Sequence, residues 1–495
     1  MSQISVTNLT FGYDGNLNNV FENVSFNIDT DWKLGLIGRN GKGKTTFLKL
    51  LLGKYEYNGT ISKNVEFDYF PFEVKDKEKM AIEIVNEIAP HVEDWEIIKE
   101  INLLNTDAEI LYKNFNVLSG GEQVKILLIS LFLKGNNFLL IDEPTNHLDS
   151  ETRDSLVDYL NKKKGFILVS HDRNFLDKVV DHIISINNTN IEIQKGNFSS
   201  WQENKNRQDN FEIMQNEKLM KDINRLKIAS QNTANWSDKV EKSKYNNTNS
   251  GSKVDRGYIG HQSAKMMKKS KVMEKRIEKE LEQKSSLLNN IDRNDSLKIV
   301  PIESNKNILV LADDLQIKYN GKAIFNKVSF EVKNGDRVAI SGKNGIGKSS
   351  ILKLIIGNDI SYSGNFKVAN DLKISYVAQS TDNLKGTLKD FAIQNKVDES
   401  IFKSMLSKMG FSSMEFDKDI SQLSEGQKKK ILIAKSISET ANIYIWDEPL
   451  NYIDILTRIQ IEEAILKYMP TLIFVEHDET FIKKVATKIV YLDIM

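Results

Sequence analysis

Short apolar runs that end on a polar or charged cluster recur in the first and last thirds of the chain. NFLLIDEP closes on Asp142-Glu143, GFILVSHD on His171, NIYIWDEP on Asp447-Glu448 and TLIFVEHD on His477. Apolar runs without alternation predict strands buried on both faces, as in a parallel sheet covered by helices. The middle of the chain is different. From about 198 to 304 it is rich in Lys, Glu, Asn and Gln, and strand-like runs are scarce. Leu219, Ile223 and Leu226 fall at helical spacing, as do Met273, Ile277, Leu281, Leu288 and Ile291. Between these sets, YNNTNSGSKVDRGYIGHQS (245–263) carries turn formers and little apolar periodicity. The pattern predicts an antiparallel helical hairpin with its tip at about 240–265. An arm of about 40 residues would reach roughly 60 Å.

The outer thirds are copies of one another. GLIGRNGKGKTTFLKLLLG (35–53) is matched by AISGKNGIGKSSILKLIIG (339–357), and later landmarks keep their distances. Gly38 precedes Asp142 by 104 residues, and Gly342 precedes Asp447 by 105. From the leucine of LSGG or LSEG to the glutamate of the acidic pair is 25 residues in both copies. From that glutamate to the strand-end histidine is 28 residues in one and 29 in the other. The reading is therefore an α/β protein of two tandem domains, 1–197 and 305–495, joined by the hairpin at 198–304.

Both copies fit GxxxxGK[ST], after an apolar strand and before a helix, the context this pattern requires. Its glycines let backbone N–H groups close around phosphates at a helix N-terminus. Phosphate contacts are expected from Gly38, Asn40, Gly41, Gly43, Lys44, Thr45 and Thr46. The second copy offers Gly342, Asn344, Gly345, Gly347, Lys348, Ser349 and Ser350. The lysines reach the outer phosphates, while the Thr45 and Ser349 hydroxyls suit magnesium. Asp142 and Asp447 are placed to complete the metal shell, and Glu143 and Glu448 to orient or deprotonate the attacking water. His171 and His477 are candidate γ-phosphate contacts as neutral donors.

Composition removes several alternatives. The 495 residues contain no cysteine, which excludes disulfides, thiolate zinc sites and cysteine-ligated iron–sulfur clusters. No apolar run is long enough to span a bilayer, and the N-terminus lacks the order of a secretion signal, so a soluble cytoplasmic protein is expected. Lys plus Arg equals Asp plus Glu at 68 each. The balance does not hold locally, however: residues 227–276 hold 12 basic and 4 acidic side chains. A cationic tip on a neutral protein suits a structured RNA groove. Lys244, Tyr245, Val254, Tyr258, Lys265, Lys268 and Lys269 are its candidate contacts.

The phosphate loops, LSGGE, LLIDEPTNHLD and LVSHD together resemble an ATP-binding-cassette ATPase domain, each with a parallel-sheet core and a helical subdomain. The resemblance implies ATP and magnesium as cofactors and an intramolecular pairing of cassettes within a monomer. Lys44, Asp142, Glu143 and His171 would then face Ser424, Gly426 and Gln427 of the second cassette. Lys348, Asp447, Glu448 and His477 would face Ser119, Gly120, Gly121 and Glu122. It also implies adenine stacking by Tyr13 and Tyr319. Cassette, hairpin and cassette in this order are similar to the ABC-F ATPases. That family binds the exit site of the 70S ribosome with the hairpin directed at the peptidyl-transferase centre, against 23S rRNA and P-site tRNA. DWKLGLIGRNGKGKTT, GFILVSHDR, the stretch around MKKSK and YIWDEPLNYID resemble its Lsa-type antibiotic-resistance branch. That branch protects against lincosamides, streptogramin A compounds and pleuromutilins. A housekeeping translation factor and an exporter's ATPase subunit remain as other readings.

Two positions depart from the cassette pattern. FDYFPF aligns with ISYVAQ, so Gln379 fits a magnesium-contacting glutamine whereas Phe72 stands in its place in the first copy. Glu425 occupies a glycine position of the second signature. Both departures fall on the site built on Lys44, which predicts unequal sites with faster turnover at the one built on Lys348 and Glu448. The other reading is that water or Glu73 replaces the glutamine and both sites work alike.

Overall fold

The computed structural model describes residues 3–13, 19–135, 137–145, 148, 150–187, 189–242, 296–319, 322–343 and 345–493, with scattered helical positions between 257 and 279. It forms two compact units, Met1–Trp201 with Asp295–Met495, and Gln202–Asn294.

Both cassettes belong to the first unit. In the first cassette the sheet order is Glu66–Phe70, Asn137–Asp142, Phe166–Val169, Lys33–Gly38, His182–Asn187, Asn190–Lys195. All neighbours run parallel except the last pair. The second repeats this with Ile374–Val377, Ile443–Asp447, Leu472–Val475, Arg337–Gly342 and Lys488–Leu492, all parallel. The apolar runs are these central strands, and the phosphate-loop strand lies next to the histidine strand in each sheet. An antiparallel sheet accompanies each core: Phe21–Asp29, Gln3–Phe11 and Asn58–Ser62 in one copy, with Ile308–Tyr319 at the centre of the other.

Chemistry collects at the carboxyl ends of the parallel strands, where helix N-termini also point. Helices Lys44–Leu51 and Lys348–Ile356 begin directly after Gly43 and Gly347, at φ 92° and 102°. A Cβ on Gly347 would lie 2.3 Å from the Ile324 side chain, so the turn requires glycine for space as well as for backbone angle.

The two cassettes also share a core. Ile455, in the second cassette's helix Ile455–Tyr468, belongs to the apolar cluster that holds Leu176 and Val179 of the first cassette and Phe198 at the start of the linker helix. Leu456 and Ile459 pack on the same cluster.

Most of the helix Phe198–Lys242 belongs to the second unit, and Ile223 on it is buried. Its 45 residues correspond to about 68 Å. Ion pairing such as Lys205–Asp209, 3.1 Å apart, laces its face. Lys265, Lys268 and Lys269 are exposed helical residues, whereas Lys244, Tyr245, Val254 and Tyr258 lie outside the described residues. Among the described residues no helix is long and apolar enough to cross a membrane.

Candidate functional site: two phosphate loops

Each phosphate loop folds around its own lysine. Lys44 Nζ donates to Gly38 O at 2.7 Å and to Asn40 Oδ1 at 3.3 Å. Lys348 Nζ donates to Gly342 O at 2.8 Å and Lys343 O at 3.1 Å. A phosphate entering the loop would replace these carbonyls as the ammonium's partner. Thr45 Oγ1 donates to Asp142 Oδ2 at 3.3 Å, and Ser349 Oγ to Asp447 Oδ1 at 3.0 Å. A hydroxyl beside one carboxylate suits magnesium, which takes few protein ligands and keeps water and phosphate oxygens. The Tyr13 and Tyr319 hydroxyls lie 2.7 Å from Thr46 Oγ1 and 2.9 Å from Ser350 Oγ. The structure therefore brings both tyrosines to the first turn after a loop. Gly41 and Gly345 take left-handed backbone at φ 80° and 78°, and Asn344 lies outside the described residues.

Glu143 and Glu448 both stand in left-handed backbone, at φ 53° and 47°. Such strain in a non-glycine residue is held by its surroundings and concentrates at functional sites. Their carboxyls meet different environments. Burial, and next the Asp142 carboxylate, push Glu143 up to about 8. Its Oε1 lies 3.2 Å from His171 Nε2 but is not aligned for a hydrogen bond and has no other partner. Glu448 is held down to about 2, chiefly by the facing His477 and against the cost of burial, with Gln379 and Asn451 also donating. At 3.6 Å from His477 Nε2, its Oε1 is within electrostatic reach rather than hydrogen-bond length. Asn451 Nδ2 donates to Glu448 at 2.8 Å. Burial, then Lys44 and Arg458, lower His171 well below its ordinary value, so its ring is neutral at pH 7.

The departures from the pattern have visible consequences. Gln379 reaches Glu448, whereas Phe72 packs on the first cassette's core. In the first cassette Tyr69 takes up a carboxylate instead, donating to Asp142 Oδ2 at 2.8 Å. Glu425 points to the Thr381 hydroxyl and to Lys428 Nζ, 2.9 Å away, and these donors lower its pKa.

Both signatures open helices. Ser119 caps Gly120–Leu133, where Glu122 accepts its hydroxyl at 2.7 Å, and Ser424 caps Glu425–Ser438 with Gln427 in the same role at 3.0 Å. A capped helix N-terminus offers backbone N–H groups to an anion. Gly426 lies against the first phosphate loop: a Cβ there would be 2.6 Å from Asn40 Nδ2 and 2.4 Å from Tyr452 O. Asn40 Nδ2 donates to that carbonyl at 2.8 Å. Among the described residues no hydrogen bond or ion pair joins Ser119, Gly120, Gly121 or Glu122 to the second phosphate loop.

The first loop has a further partner, absent from the sequence reading. Asp454 Oδ2 accepts from Asn40 N at 3.1 Å and from Lys430 Nζ at 2.6 Å. Lys430 and Asp454 are 2% and 0% exposed. Burial opposes the aspartate's charge, but Lys430 and Lys44 outweigh it and hold the pKa well down. Spacing gave a signal, since Lys125 stands at the matching place of the first signature helix, but only tertiary structure supplies the partner. Lys430→Met strands a buried carboxylate and is expected to cost about 3–5 kcal/mol, read from urea unfolding of the whole chain.

Two phosphate loops, each with an acidic pair and a histidine, and a signature glycine seated against the first of them define a twin-site nucleotide triphosphatase. The sequence profile of the ABC transporter family matches residues 21–146 and 325–451, and the chain belongs to that family. It is an ATPase with two ATP-binding cassettes. ATP-binding protein Uup of Buchnera aphidicola is 29% identical over 517 residues, covering 99% of this chain and 80% of that protein. Ribosome protection protein VmlR of Bacillus subtilis is 26% identical over 491 residues, covering 97% and 85%. An archaeal ribosome recycling factor, solved with a ribosomal stalk protein, aligns at TM-score 0.60 with 19% identity, over 98% of this chain and 87% of that one, a likeness of fold.

Proposed function

We propose that this chain is a ribosome-binding ATPase of the ABC-F type that protects the ribosome from drugs acting at the peptidyl-transferase centre. The observation that carries the reading is the 45-residue helix that follows the first cassette in sequence and overlaps a stretch, 227–276, with 12 basic and 4 acidic residues. The similarity to VmlR, a ribosome protection protein by name, supports it. ATP binds at Lys44 and at Lys348 and draws the cassettes together, because each nucleotide would be shared with the opposing signature. Thr45 with Asp142, and Ser349 with Asp447 and Gln379, would hold magnesium, which supplies charge neutralisation at the phosphates. Glu143 and Glu448 act on water; His171 and His477 contact the γ-phosphate. Cassette closure sets the hairpin's approach to 23S rRNA near the exit site and P-site tRNA. Hydrolysis reopens the pair, so ATP serves as a switch on affinity. The protein acts as a cytoplasmic monomer. The two sites are unequal, and Glu448 carries most of the turnover.

Growth of a susceptible bacterium with lincomycin, tiamulin or virginiamycin M tests the proposal. Expression should raise the inhibitory concentration at least about fourfold, and deletion of 243–262 should abolish the rise. No protection with ATP-dependent ribosome co-sedimentation intact would favour a housekeeping translation factor. Loss of both would favour an exporter subunit.

A further inference from the structure

The two faces where the cassettes meet differ in sequence. NHLDSETRDSLV (146–157) aligns with NYIDILTRIQIE (451–462), so Ser150, Glu151 and Asp154 stand where the second cassette has Ile455, Leu456 and Ile459. SHDRNFL (170–176) aligns with EHDETFI (476–482), which sets Arg173 against Glu479. On one face, therefore, Arg173 meets Glu462. The mirrored positions, Glu479 and Val157, cannot pair.

Arg173 is 4% exposed and joins the cassettes. Its Nη1 donates to Glu462 Oε2 at 3.1 Å, Nη2 donates to Glu462 Oε1, and Nη2 lies 3.6 Å from Asp478 Oδ2. Asp478 directly follows His477. Its carboxylate also takes Arg458 Nη1 at 3.2 Å and caps the next helix by accepting from Phe481 N at 3.0 Å. Arg458 in turn donates to Leu450 O and Ile453 O, both at 2.9 Å, in the loop after Glu448. A residue of the first cassette thus takes part in the buried network that fixes the segment carrying His477.

We propose that Arg173 is a positioning residue for the second ATP site: by bracing Asp478 from across the seam, it sets where His477 stands opposite Glu448. The proposal rests on the reading of His477 and Glu448 as parts of that site. A planar fork shared between Glu462 and Asp478 fixes direction as well as charge, and small misplacements of a reacting group are costly in rate. The mirrored position holds Glu479, which lies within electrostatic reach of Lys178 but offers Asp172 no guanidinium, so coupling through an arginine runs one way.

The test uses the full-length chain with Glu143→Gln, so that only the second site turns over. Adding Arg173→Met is expected to lower kcat about tenfold while KM for ATP stays within about twofold. The exchange Arg173→Glu with Glu462→Arg should regain part of the thermal unfolding temperature lost in Arg173→Met but not kcat, since a glutamate facing Asp478 repels it. A kcat within twofold of the parent for Arg173→Met overturns the proposal. So does an exchange that restores kcat along with unfolding temperature, because the role would then be stability alone. Should the Met variant not fold, Arg173→Lys keeps the charge without the fork and is expected to lose kcat in smaller measure; full kcat there is likewise fatal. His477→Ala in parallel separates the two levels: unchanged turnover would remove the reading of the site itself. In the complementary Glu448→Gln background, Glu479→Ala should leave first-site turnover within twofold, and a larger loss would contradict one-way coupling.

Discussion

Glu448→Gln is expected to lower ATP turnover at pH 7 by about tenfold, whereas Glu143→Gln should lower it by less than about twofold. The residues are matched in sequence, so the difference must come from their surroundings. Glu448 is ionised throughout the physiological range, because His477, Gln379 and Asn451 stabilise its charge against burial. Glu143 is raised to about 8 by burial and by Asp142, which leaves about one tenth of it ionised at pH 7. A raised carboxyl is protonated below its pKa and gains its function as a base above it. The Glu448→Gln protein, working through Glu143 alone, should therefore rise about fivefold to tenfold between pH 7 and 9, with a midpoint near 8. The Glu143→Gln protein should be flat from pH 6 to 9. Steady-state phosphate release against pH measures both. Equal losses from the two substitutions at pH 7, or parallel pH profiles, would show that the sites are equivalent.

The repeat, the phosphate loops and the parallel strands were legible because each rests on local chemistry. A strand buried on both faces must be continuously apolar, and a loop around phosphate must be glycine-rich next to a helix start. Gln379 and Phe72 were readable as a difference for the same reason, since each follows a matched strand. Contacts between distant segments were not. Lys430 reads as one of three consecutive lysines on a solvated helix, yet it is buried on Asp454. Arg173 follows a His-Asp pair and looks like an ordinary helix start, yet its partner Glu462 is 289 residues away. Tyr69 occupies an inconspicuous strand position and reaches Asp142 only because two parallel strands pair in register. The strain at Glu143 and Glu448 left no mark either, because a glutamate in left-handed backbone is not announced by its neighbours.

The combined Glu143→Gln and Glu448→Gln protein should bind ribosomes with ATP and leave them at least about a hundredfold more slowly than the parent. If ATP acts by closing the cassettes, removing both water-activating carboxylates leaves closure intact and removes only its reversal. Glutamine keeps the size of glutamate and can still donate or accept a hydrogen bond, so nucleotide binding at Lys44 and Lys348 should survive. The trapped protein would occupy the site that the hairpin enters and should arrest translation in a cell-free system. ADP in place of ATP should abolish the arrest, because without a γ-phosphate neither His171 nor a signature helix N-terminus has its partner. Co-sedimentation after dilution into ATP-free buffer reads the departure rate. Departure of the double variant at the parent's rate would mean that hydrolysis does not govern release, and the switch mechanism would fall even if drug protection were observed. Retention equal in ATP and in ADP would point to the basic hairpin alone as the source of affinity, a salt-dependent contact that cassette closure does not control.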